Sequence, residues 1–82
     1  MPNNTGMMWF DADKKTSFQS KIEKGFIYYK DKYGKYPTVV YVNTAVAGPE
    51  TIEVIHKKEK MEVEIKKIRG MLRNNFWFVE DK

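Results

Sequence analysis

The chain has 82 residues, with 15 Lys or Arg against 11 Asp or Glu, a net charge of +4 and a sequence pI near 9.3. That length suits one core, and 41% hydrophobic with 15% aromatic residues suffices to build it, so a single folded domain is expected rather than wholesale disorder. The absence of cysteine excludes disulfides, thiolate metal sites and cysteine nucleophiles, and the basic balance suits an acidic partner.

Residues 1–6 are polar and expected to fray, and Asn3-Asn4-Thr5 matches a glycosylation sequon. Met7 to Phe10 is the apolar opening of the fold, a short strand or a plug over the core. Asp11 and Asp13 follow as acids expected at the positive end of a helix; a shared hard cation such as magnesium is the alternative.

The stretch 16–43 organises the rest. Thr16 and Gln19 fit a capping box, and Phe18, Ile22, Phe26, Tyr29 and Tyr33 then recur every three or four residues, which predicts a helix over about 17–33. Gly34 can close that helix in a left-handed conformation, and Pro37 prevents its resumption. Lys30, Lys32 and Lys35 suit the negative end of the helix dipole. Thr38 to Val42 is nearly all β-branched or aromatic, as a strand covered on both faces would be.

Residues 44–49 read as a loop. Thr51 to Ile55 favours a strand through its β-branched residues, although Pro49, the early glutamates and the late basic residues also fit a short helix at 50–58. Met61 to Ile65 alternates apolar and acidic residues, a half-exposed strand with Met61, Val63 and Ile65 inward; Lys57 to Lys60 would then be the hairpin turn, without the usual Asn-Gly or Asp-Gly. A basic stretch, 66–75, leads to a last apolar strand at 76–79. The fold expected is α+β within a single domain. One long N-terminal helix packs on a small, mostly antiparallel sheet of strands 39–42, 51–56, 61–66 and 76–79, in that order; the fallback puts a short helix at 50–58. No apolar run approaches the ~20 residues of a membrane span and no signal pattern opens the chain, so a cytoplasmic protein is expected.

Tyr28, Tyr29, Tyr33, Gly34, Pro37 and Val39 to Asn43, with Phe76-Trp77-Phe78 as a closing strand, give a layout that resembles small uncharacterised prokaryotic α+β proteins. Those proteins pair a helix ending Tyr-Tyr…Tyr-Gly with a Pro-then-apolar strand. The resemblance covers about half the chain and implies the fold, with no activity to carry over.

His56 is the single histidine, so no multi-histidine metal site can form within one chain, and beside Lys57 and Lys58 it reads as a solvated or strand-end residue. Ser17 and Ser20 have no evident base, and there is neither a P-loop nor a GxGxxG. Pro49-Glu50, thirteen residues, then Glu64-Ile65-Lys66 is similar to the PD-(D/E)xK nuclease motif. That likeness implies Glu50 and Glu64 as metal ligands, with Lys66 beside the attacking water. Glu50 replaces the usual aspartate, and the elements that normally follow have no room. Asp13-Lys14-Lys15 and Glu80-Asp81-Lys82 repeat the acid-x-Lys pattern by composition alone.

The second candidate is the basic run of Lys66, Lys67, Arg69 and Arg73 beside Trp77: cations neutralise phosphates, and an exposed aromatic stacks on an unpaired base. Against it, the cations could simply solubilise a turn while Trp77 fills the core. The reading favoured is a small non-enzymatic binding domain without a cofactor and with nucleic acid as partner. A metal-dependent nuclease and a self-associating accessory protein are the alternatives.

Overall fold

The computed structural model describes residues 6–46 and 48–80; of the segment 1–6 expected to fray only Gly6 is described, and residues 1–5 with the sequon, and Asp81 and Lys82 of the last acid-x-Lys triplet, lie outside the described residues. In chain order the elements are β1 (Met7–Phe10), α1 (Phe18–Tyr33), β2 (Val39–Asn43), β3 (Thr51–His56), β4 (Glu59–Ile68) and β5 (Asn75–Val79). The helix lies on one face of a five-stranded sheet of order β1-β5-β2-β4-β3, an α+β fold as the sequence predicts. The short segment at Met7–Phe10 is a strand, and residues 51–56 form a strand rather than the fallback helix.

The expected strand order is corrected. β2 pairs antiparallel with β5 and parallel with β4, and β1–β5 and β3–β4 are antiparallel. After β2 the chain crosses the end of β4's place and returns as β3 at the sheet edge. The tight hairpin then inserts β4 between them. The parallel pair therefore arises without a crossover helix. β2 thus occupies the centre of the sheet, which accounts for its continuous apolar sequence. The expected cover on both faces holds only in part: on the face away from the helix Val39 is buried, whereas Tyr41 is half-buried.

α1 buries the predicted stripe. Ile22, Phe26 and Tyr29 are sealed against Val40, Val42, Val54, Val63 and Phe78, Phe18 packs at the rim, and Tyr33 ends the stripe in solvent at 40% exposure. Burial, with the carboxylate of Glu80 adding to it, pushes the Tyr29 phenol above its ordinary value. The predicted capping box does not form. The N-cap is Ser17, whose hydroxyl accepts from the Ser20 N–H at 3.1 Å. Thr16 instead donates to Asp13 Oδ2 at 2.6 Å, and the Gln19 amide reaches Glu23 and the Glu53 carbonyl. Gly34 closes the helix at φ 77°, its N–H on the Lys30 carbonyl at 2.8 Å. Among the described residues, no helix is long and apolar enough to cross a membrane.

The β3–β4 turn is two residues long, with His56 opposite Glu59 and both Lys57 (φ 53°) and Lys58 (φ 68°) in left-handed conformations. That is the geometry of a type I′ turn, which favours Asn-Gly. The structure imposes it on two lysines, each strained by about 1–2 kcal/mol. Lys58→Gly removes one such strain at the cost of a more flexible unfolded chain, so a net gain of about 0.5–1 kcal/mol is expected. A urea melt checks this, and a loss of stability would contradict the turn geometry.

Candidate nucleic-acid interface

Strand alternation divides the sheet into two chemically different faces. Met7, Trp9, Phe76, Phe78, Val40, Val42, Val63, Ile65, Ile52 and Val54 take the helix side and supply most of the core. Their neighbours in sequence point to the other side, which no helix covers among the described residues. There Met8 is opposite Trp77, Trp77 is opposite Tyr41, and Tyr41 is opposite Lys66, a row that crosses four strands. The Trp77 and Tyr41 rings lie 6.0 Å apart at 52°, and Trp77 keeps 38% of its surface exposed. Trp77 therefore does not fill the core; the phenylalanines on either side of it do. Met8 and Phe10 extend the same apolar surface towards the β1 edge.

The predicted cations divide among three places. Lys66 belongs to the open-face row beside Tyr41. Lys67 takes the parity of Val63 and Ile65 and emerges, exposed, on the helix side. Arg69 and Arg73 are exposed in the β4–β5 loop. That loop is held in shape by Gly70 (φ 86°) and Asn74 (φ 67°), and by Asn43, whose amide donates to the Met71 carbonyl at 2.6 Å. Asp11 N–H bonds to the Asn74 carbonyl at 2.9 Å and ties the loop to the end of β1. Arg73 and Asn74 line a shallow cleft of about 250 Å³ with Asn43, Ala45 and Val46.

The opposite half of the open face is acidic. Glu53 is directly across from Glu62, Glu64 is two residues along the same strand, and Lys60 offsets Glu53 at 3.5 Å. The nuclease-like set is not brought to one face. The Ile65 N–H donates to the Glu50 carbonyl at 2.7 Å, so Glu50 is level with a core-facing residue and out of phase with Glu64 and Lys66. Among the described residues, no three His, Asp or Glu side chains group so as to hold a metal ion.

Asp11 and Asp13 shape the chain entering the helix rather than face its dipole. Asp11 Oδ1 accepts from the Asp13 N–H at 3.0 Å, and Asp13 Oδ1 from the Lys15 N–H at 2.9 Å. The Thr16 hydroxyl, and then that N–H, hold the Asp13 carboxyl below its ordinary value. Of the two alternatives for His56 the structure shows the strand end, with the side chain half-buried. Its Nδ1 is 3.1 Å from the Tyr36 hydroxyl, with the donor set by the tautomer. Tyr36 in turn stacks on Phe26.

Tyr41 is the aromatic member of the row that the sequence reading missed, and Met8 at its β1 end was missed with it. The parity of Tyr41 against Val40 and Val42 was the available signal, hidden by the expectation that β2 is covered on both faces. No protein-family model, curated protein or solved structure matches this chain.

Proposed function

We propose that this domain binds single-stranded nucleic acid across the open face of its sheet. The observation that carries the reading is the Trp77–Tyr41 pair: two adjacent, partly exposed aromatic rings on the sheet face away from the helix, with Lys66 next in register. Every base has a π-face, so such a pair accepts unpaired bases with little regard to sequence. A stacked duplex offers no free base faces, which makes single strands the preferred form. Lys66 at the β4 end of the row supplies a cation for phosphates, and Arg69 and Arg73 supply more from the loop at the ends of β4 and β5. Glu53, Glu62 and Glu64 repel phosphates from β3 and the first part of β4, which confines the strand to β1, β5, β2 and the Lys66 end of β4.

Titration of single-stranded DNA, RNA and duplex over a range of salt tests this reading. Single strands are expected to bind most tightly. Trp77→Ala and Tyr41→Ala should each weaken binding by about 1–3 kcal/mol, roughly 5- to 150-fold. Lys66→Ala combined with Arg73→Ala should flatten the dependence of log K on log salt by roughly 0.7 per lost phosphate contact. Wild-type protein that binds no oligonucleotide at low salt, and instead sediments as a dimer, would replace this reading with self-association through the same apolar surface.

A further inference from the structure

We propose that Gly6 is the positioning residue for the Trp77 indole, an inference that rests on the single-strand reading and adds how its platform is held ready. Gly6 directly precedes β1 and shares the parity of Met8, so its missing side chain faces the open side of the sheet. A Cβ built there would fall on Trp77 Nε1 and overlap Cδ1 and Cε2. The N–H edge of the indole therefore occupies the place of the absent methyl. Tyr41 stands on the other side of the ring, with centroids 6.0 Å apart. The indole is wedged between β1 backbone and a tyrosine. An arriving base meets an ordered ring, and the entropy of immobilising a large side chain has been lost already on folding.

Any side chain at position 6 must expel the ring edge from its slot. Trp77 is partly exposed and can swing outward, so the fold survives while the platform loosens. Gly→Ala near a chain end would otherwise leave stability unchanged or raise it slightly by restricting the unfolded chain. The expected signature is thus weaker binding without a lower melting temperature.

The test combines indole N–H signals in the free protein with affinity for a fluorescein-labelled oligothymidylate in a double-mutant cycle. In Gly6→Ala the Trp77 indole N–H resonance should move, while that of Trp9, packed against Tyr28 on the helix side, should not. Affinity should fall roughly 3- to 10-fold, the loss expected when one large side chain must be ordered on binding. In a Trp77→Ala background the same Gly6→Ala change should have no further effect. An equal loss with and without Trp77, or an unmoved Trp77 signal, overturns the role of Gly6 and leaves the stacking reading standing. Trp77→Ala protein that binds as tightly as wild type overturns the stacking reading and, with it, the role given to Gly6.

Discussion

Phe26→Ala is expected to cost about 3–5 kcal/mol of folding stability. Phe26 has no exposed surface, sits at the middle of the helical stripe and stacks on Tyr36 at 5.1 Å and 22°. Removing the ring leaves a cavity between α1 and the sheet, and it strips the support from Tyr36, which holds His56 at the end of β3. A domain of 82 residues has roughly 4–12 kcal/mol of stability in total, so this one change can take it close to unfolding. Tyr33→Ala is the control. Tyr33 belongs to the same stripe and packs on Tyr29 at 4.7 Å, but it is 40% exposed and should cost no more than about 1 kcal/mol. Urea melts of the two variants check the contrast; a loss below about 1 kcal/mol for Phe26→Ala would mean that the stripe is not the core face.

What could be read from the sequence was what depends on near neighbours. The 3.6-residue rhythm of α1 and its glycine stop are local, and the structure keeps both. The cap was displaced by one residue because Thr16 and Ser17 are both competent, and Asp13 had already engaged the Thr16 hydroxyl. The hairpin was recognisable from flanking alternation, but its left-handed lysines carry none of the usual turn chemistry. Strand order was not legible. Nothing local in β2 reveals that its neighbours are β5 and β4, since that follows from which edge β3 takes. The candidate interface suffered for the same reason. Trp77 and Lys66 were singled out as parts of one basic-aromatic stretch. Their relation through Tyr41 exists only once three non-consecutive strands are in register.

Gly25→Val is expected to destabilise the domain by about 3 kcal/mol, the upper end of ordinary overpacking. On helix propensity alone, replacing a mid-helix glycine should help, by up to about 1 kcal/mol for alanine and less for a β-branched residue. Packing decides the sign. Gly25 is buried where α1 packs on β5, and a Cβ there would overlap both Cε1 and Cζ of the Phe78 ring. Phe78 cannot yield, because it is fully buried in the core and its register partners Met7 and Val40 flank it on both sides. The helix must therefore lift from the sheet, loosening Ile22, Phe26 and Tyr29 together. Phe78→Leu shortens the opposing side chain and should offset part of the damage. The double variant is then expected to be more stable than the sum of the single losses by at least about 1 kcal/mol. Denaturant melts of the four proteins provide the measurement. Strict additivity would show that Gly25 does not meet Phe78, and a Gly25→Val protein more stable than wild type would show that helix propensity, not this close approach, governs the position.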